Sequence, residues 1–355
     1  MNNGTSLKRK IVSSLFYFTR SLFLKFSLNN ALPILMYHRI IRPEDSYYLI
    51  QDGMYVRPET FEMQMEYLKK VFEILPLEEL IQRKTNKKND LGSKPFISIT
   101  FDDGWFDNLE NAIPVLESLK IPATIFLPTA YIGTGKIFWA DQLAINLESF
   151  RLNHTHLNVI SSRLTEKLDI TDIKSDILGY INMNGREGGY SHRKNILDSL
   201  VEKLKIPTSD NRRDILKIIS TTAKEFCKPP PTSSPMFLNW DQVRKISDNS
   251  LFTFGLHSHQ HELMTKLNPE QRKDDILQCL QTFREQKVSH LPVFCYPNQD
   301  MNEETNKMLG DFGIPYSLGS ISNMTNGHIS FCRTGIHEDI SSSKSLFSFR
   351  LWSNR

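Results

Sequence analysis

Short apolar runs that end in polar clusters alternate along this chain with segments whose apolar residues recur every three or four positions. Residues 32–40, Leu-Pro-Ile-Leu-Met-Tyr-His-Arg-Ile, have the pattern of a buried strand entering a loop. Val56 to Phe72 opens on Pro58-Glu59-Thr60 and carries Phe61, Met65, Leu68 and Val71 at helical spacing, which predicts an amphipathic helix. The stretch from Arg83 to Asp90, rich in Lys and Asn, is expected to be an exposed loop. A strand at Phe96–Phe101, a helix at Asn108–Leu119 and a strand at Ala123–Pro128 make a parallel βαβ unit. Residues 141–235 break this rhythm with a helix-rich, Lys-rich stretch closing in Pro229-Pro230-Pro231, expected to be an insertion.

The alternation resumes with a helix at Trp240–Ser247, a strand at Phe252–Leu256, a helix at Pro269–Glu285 and a strand at Val293–Tyr296. A helix at Glu303–Phe312 and strands near Tyr316 and at Ser330–Arg333 complete it. Repeated β-then-α units of this length predict an α/β protein, either a barrel or an open parallel sheet, with its chemistry where strands run into loops.

Composition narrows the field by exclusion. With 39% hydrophobic and 23% charged residues over 355 positions, the chain is an ordinary globular protein. Forty-three basic against 40 acidic side chains leave a formal charge of +3, too little to predict a nucleic-acid partner. Cys227, Cys279, Cys295 and Cys332 stand far apart with no C-x-x-C pair, so free thiols are expected rather than a disulfide framework.

Two segments carry candidate chemistry. Thr100-Phe101-Asp102-Asp103-Gly104 puts adjacent carboxylates at the end of a strand, where their side chains diverge and one can bind a cation while the other accepts a proton. Taken alone, Asp-Asp-Gly is also a common surface turn. His257-Ser258-His259-Gln260-His261 follows another predicted strand, and its outer histidines are spaced to converge on one cation, although His259 could replace either. Together the two segments offer two imidazoles and a carboxylate, a ligand set that leaves a zinc position open for catalysis. A divalent cation there would lower the pKa of a bound water and polarise a substrate carbonyl.

With these motifs the chain resembles the polysaccharide deacetylases of carbohydrate esterase family 4, the NodB-like domain, over about Leu32 to Ile340. Thr100–Gly104 is similar to that family's first motif and His257–His261 to its second, H-[S/T]-x-x-H, which selects the outer histidines. Met36-Tyr37-His38, Pro122–Phe126, Phe138–Asp141 and Trp240-Asp241 agree with it. The resemblance implies a distorted (β/α) barrel of about seven repeats within residues 31–345, interrupted by the 141–235 insertion. It implies one divalent metal, zinc first with Co, Ni or Fe as alternatives, held by Asp103, His257 and His261 with Asp102 as general base. The implied substrate is an N-acetylated glycan.

The third family motif departs from its pattern, being Phe294-Cys295-Tyr296-Pro297-Asn298-Gln299 with no arginine and with Gln299 in place of a glycine. Tyr296 is expected to offer its backbone N–H to an oxyanion, and Arg333 to brace the base, with an ordinary surface ion pair as the alternative. His38 and His337 compete as general acid, with His38 preferred. Trp105, just past the aspartates, is the tryptophan expected to touch substrate.

The start of the chain adds a question of location. Residues 7–28, within a basic segment spanning 1–30, mix apolar residues with Lys8, Arg9, Lys10, Arg20 and Lys25; the longest uncharged stretch, Ile11–Thr19, falls short of the roughly 20 residues a bilayer span needs. A helix on an anionic membrane surface and a helix packed on the domain are both compatible with it. With no small-residue cleavage site, the expectation is a cytoplasmic protein, in one reading peripheral on the inner face of the membrane. That reading suggests a deacylase or deformylase of a lipid-linked sugar as the enzymatic alternative; a catalytically inactive carbohydrate-binding relative is the non-enzymatic one.

Overall fold

The segments that read as continuous apolar runs are those buried on both faces, as strands of a parallel sheet covered by helices must be. The computed structural model describes residue 13 and residues 33–86, 94–153, 155–168, 171–183, 189–206, 209–228, 235–325 and 327–353. Apart from Ser13, the amphipathic segment 7–28 lies outside the described residues, as does Pro229-Pro230-Pro231. Among the described residues no helix is long and apolar enough to cross a membrane.

The strands are β1 (Ile34–Tyr37), β2 (Arg39–Ile40), β3 (Tyr55–Val56), β4 (Glu73–Ile74), β5 (Phe96–Phe101), β6 (Ala123–Leu127), β7 (Phe252–Leu256), β8 (Val293–Cys295), β9 (Tyr316–Gly319), β10 (Asn323–Thr325), β11 (His328–Cys332) and β12 (Thr334–Gly335). Parallel pairing runs from β1 through β5, β6, β7 and β8 to β9. β11 then lies parallel to β9, and β12 parallel to β1. Only Arg333 separates β11 from β12, so the stretch from His328 to Gly335 touches both ends of the sheet and closes a ring of seven strand positions. This is the distorted (β/α) barrel the sequence led us to expect. Its carboxyl ends share one mouth, where the loops after β1, β5, β7 and β8 gather.

Leu75, Leu80, Phe96, Phe126, Val293 and Leu318 are among the side chains of one apolar cluster in this unit. Each such side chain, fully buried, contributes about 1.5–3 kcal/mol to the fold. Helix Pro58–Val71 starts on a proline, which has no N–H to strand in a first turn, and buries Phe61, Met65 and Leu68. Helices Trp240–Ser247 and Pro269–Glu285 are each opened by a reciprocal capping box, Asn239 with Gln242 and Asn268 with Gln271.

Some boundaries differ from the sequence reading. Arg83–Thr85 belong to a helix, Leu77–Thr85, that buries Leu77, Leu80 and Ile81, instead of opening a loop; residues 87–90 lie outside the described ones. The helix expected over Asn108–Leu119 is regular only across Ile113–Leu119, because Pro114 cannot donate into the preceding turn, and Asn108–Ala112 form a widened turn. Two further helices, Glu338–Ser341 and Lys344–Ser353, end the described chain.

The chain divides into two compact units, one of Met1–Ile41, Gly53–Gly135 and Pro235–Arg355, the other of Arg42–Asp52 and Lys136–Ser234. The barrel lies in the first. The second is helical, with Trp139–Leu152, Leu157–Lys167, Thr171–Ile181, Gly189–Lys205 and Ser209–Phe226. Within it, the segment Arg42–Asp52 is tied to the helices by Tyr48, whose hydroxyl donates to Asp141 at 2.8 Å, and by an ion pair between Asp52 and buried Lys194.

Candidate active site

Strand β5 leaves the barrel at Phe101, and the next residue turns its carboxylate back into the mouth. Asp102 is 2% exposed, and its backbone N–H donates to the Tyr37 carbonyl at 2.9 Å. Its two oxygens accept from Nη1 and Nη2 of Arg333 at 2.7 and 2.6 Å, a bidentate pair in which the Arg333 side chain is 0% exposed. The Cys295 thiol, raised by burial, donates to the same carboxylate at 3.5 Å, and His38 Nε2 stands 3.9 Å from Oδ2. Burial pushes the Asp102 carboxyl up, but the charge of the buried Arg333 guanidinium and its hydrogen bonds outweigh it, so Asp102 is held below the usual carboxylate range. Arg333 is therefore a buried partner of Asp102, not a surface ion pair.

Asp103 has φ 75°, the left-handed conformation that aspartate tolerates better than most residues. Gly104 follows at φ +65°, where an added Cβ would sit 2.6 Å from a Leu127 methyl. This double turn aims the Asp103 carboxylate at the loop after β7. Oδ1 lies 3.3 Å from His257 Nε2 and 3.2 Å from His261 Nε2, yet among the described residues it has no hydrogen-bond partner. His257 is oriented by Nδ1, 2.7 Å from the Cys295 carbonyl, which turns Nε2 toward Asp103. His261, at φ 55°, is held by its N–H on Ser258 Oγ at 2.8 Å.

Asp103 Oδ1 and the two imidazole Nε2 atoms thus converge within reach of a single cation. Asp103, His257 and His261 form one of two possible metal-holding sets among the described residues; Asp102, His257 and Cys295 form the other. The first is the better fit, since Asp102 is already saturated by Arg333. His259 is outside both sets, its Nδ1 held by Thr129 Oγ1 at 2.8 Å.

Two expected residues are placed elsewhere. The Tyr296 N–H is taken by the Leu318 carbonyl at 3.0 Å in the β8–β9 ladder, and its buried hydroxyl donates to Asn306, so this amide is not available to an oxyanion. Trp105 is 0% exposed, stacked on Phe237 at 4.7 Å, so its indole cannot meet a sugar ring. Gln299, standing where the resembling family has glycine, adopts the left-handed conformation a glycine would, with φ 59°. Of the two candidate acids, His38 lies beside Asp102, while the His337 ring is paired with Asp339 two residues on.

Asp275 is a site residue the sequence reading missed. Its carboxylate accepts the His259 and Gln260 N–H groups at 2.8 and 2.7 Å, clamping the loop that carries His257 and His261. In sequence it is one of two adjacent acids on a helix, with nothing to mark it.

The sequence model of the polysaccharide deacetylase family matches residues 89–177 and 215–317, together more than half of the chain. The chain belongs to that family. YxkH of Bacillus subtilis (strain 168), a candidate polysaccharide deacetylase by name, is 32% identical over 134 residues, 36% of this chain and 44% of that protein. The chain therefore spans less than half the length of this curated relative. Among solved structures, the Streptococcus pyogenes deacetylase PplD in complex with acetate is 17% identical, with a TM-score of 0.51 over 89% of this chain and 96% of that one. IcaB from Ammonifex degensii is 15% identical, with a TM-score of 0.52 over 92% and 98%. These two likenesses are of fold.

Proposed function

We propose that the chain is a metal-dependent hydrolase that removes an N-acetyl group from an amino sugar of a glycan. The observation that carries this is the unpartnered Asp103 Oδ1 facing two imidazole Nε2 atoms, beside a second aspartate that a buried arginine keeps ionised. Asp103, His257 and His261 would hold the cation, with zinc the metal this donor set most commonly takes. When bound, a divalent cation supplies a Lewis acid for the acetamide carbonyl and makes a water more acidic.

The remaining work falls to the chain's own groups. Asp102 accepts the proton of the attacking water, and Arg333 fixes the plane of its carboxylate. As water oxygen bonds to the carbonyl carbon and the C–N bond breaks, the leaving nitrogen needs a proton. His38, at the same mouth with Nε2 3.9 Å from Asp102 Oδ2, is placed to pass to that nitrogen the proton that Asp102 took from the water. Acetate and a free amino sugar leave.

The test is acetate release from a panel of N-acetylated glycans by metal-reconstituted protein, with Asp102→Asn and His257→Ala alongside. Release by the wild type alone supports the reading. Silence of the metal-loaded wild type across the panel, or undiminished release by His257→Ala, rules it out.

A further inference from the structure

We propose that Trp105 is a positioning residue of the metal site: its indole N–H holds Asp103 so that the carboxylate offers its other oxygen to a cation before any cation is present. The inference rests on the metal-site reading above and deepens it. Trp105 Nε1 donates to Asp103 Oδ2 at 2.9 Å. An indole N–H is a donor only, so it requires a lone pair opposite and cannot itself compete for the metal. With Oδ2 so engaged, Oδ1 is the oxygen left facing His257 and His261.

The indole is itself held by two ring contacts. One face stacks on Phe237 with centroids 4.7 Å apart and planes 30° from parallel. The Arg39 guanidinium lies over the ring at 4.5 Å. Arg39 is in turn held by Asp107, which accepts from its Nε at 2.8 Å and from the Ile40 N–H at 2.9 Å. The backbone on either side of Trp105 is clipped to the strand-like segment around Phe237, Leu238 N–H to the Gly104 carbonyl at 2.9 Å and Phe106 N–H to Met236 at 3.0 Å. A ring held this way needs no reorganisation when a metal binds. Partners that orient a ligand from behind change metal affinity by about 10- to 100-fold when removed.

Core packing alone would also bury a tryptophan, so the test must separate the donor from the ring. Trp105→Phe keeps an aromatic face for Phe237 and Arg39 but removes the N–H; Phe237→Leu loosens the stack and keeps the N–H. Zn2+ and Co2+ affinities are measured by chelator competition, with urea unfolding of the metal-free proteins as the measure of packing. The expected result is a roughly 10- to 100-fold loss of affinity in Trp105→Phe, against a change of at most about twofold in Phe237→Leu, whatever the two do to stability. Wild-type affinity in Trp105→Phe overturns the proposal and leaves the metal reading intact. Equal losses in both variants, in step with stability, also overturn it, since packing would then suffice. Wild type that takes up neither metal, or a His257→Ala variant that binds both as tightly as wild type, defeats the metal reading itself. Should Trp105→Phe not fold, 3-benzothienylalanine at position 105 keeps the bicyclic ring and removes the donor alone, and the same outcomes apply.

Discussion

Replacing Arg333 by methionine removes the guanidinium from Asp102 while leaving an unbranched chain in its place. Both groups are out of water, with Asp102 2% exposed and the Arg333 side chain 0% exposed, so no solvent replaces the two N–H groups at 2.7 and 2.6 Å. Stranding one member of a buried pair costs about 3–5 kcal/mol, which agrees with two charge-assisted hydrogen bonds at about 1.5–3 kcal/mol each. Urea unfolding of the metal-free wild type, Arg333→Met, Asp102→Asn and the double variant at neutral pH measures it. Arg333→Met should cost about 3–5 kcal/mol in the wild type and at least about 2 kcal/mol less in the Asp102→Asn background, where no charge is left stranded. Arg333→Lys should recover little, because a point charge cannot supply the two-pronged fork. Effects that add to within about 0.5 kcal/mol would refute the coupling.

Three further outcomes follow from the same structure. Asp275→Asn turns an NH2 toward one of the two amides it now accepts, costing about 1–3 kcal/mol and weakening zinc binding through the loop, read by unfolding and chelator competition. Gly104→Ala combines a left-handed residue, about 1–2 kcal/mol, with a Cβ 2.6 Å from Leu127, and should lower the melting temperature and slow acetate release. His328 is buried, its Nδ1 near the Ile314 carbonyl and its Nε2 near Ser317 Oγ, and burial lowers its pKa below 6.5. Since the unfolded chain then takes up the proton first, stability is full above about pH 6.5 and falls as pH drops toward the folded pKa, by up to about 1.4 kcal/mol per unit. The slope of melting temperature against pH over that range should flatten in His328→Gln; an unchanged slope rules this out.

What the sequence could and could not announce follows from how local each signal is. Phe96–Phe101 and Phe252–Leu256 were legible because strands buried on both faces must be apolar throughout or nearly so. Leu77–Thr85 was not, since three buried apolar residues among four charged ones make too short a periodic run. The Asp-Asp and His-x-x-x-His motifs, which the fold brings together at one mouth, were legible because each is made of residues close in sequence. Tyr296 misled because whether a strand-end N–H is free depends on its neighbour, and β9 lies 20 residues further on. Trp105 misled because nearness to the aspartates in sequence says nothing about which way an indole faces. Asp275 acts only through the loop it packs against.

The site and the barrel's closure are built from the same residues. Among the described residues, five of the seven non-glycine residues with positive φ, Asp103, Ser258, His261, Asn298 and Gln299, lie in the loops after β5, β7 and β8. Such conformations persist only where surrounding structure over-determines them, at about 1–3 kcal/mol each. Here the surroundings include Arg333, which joins β11 to β12 and grips Asp102, so closing the ring and bracing Asp102 are one event. Loosening that grip should therefore open the seam before it unfolds the barrel. The Ile336 N–H, which donates to the Met36 carbonyl at 2.9 Å across the β1–β12 seam, is the reporter. In Arg333→Met its hydrogen exchange should accelerate more than that of amides in the β6–β7 ladder, whose protection tracks global stability. A uniform loss of protection across both seams would mean that Arg333 stabilises the barrel as a whole and has no special part in closing it.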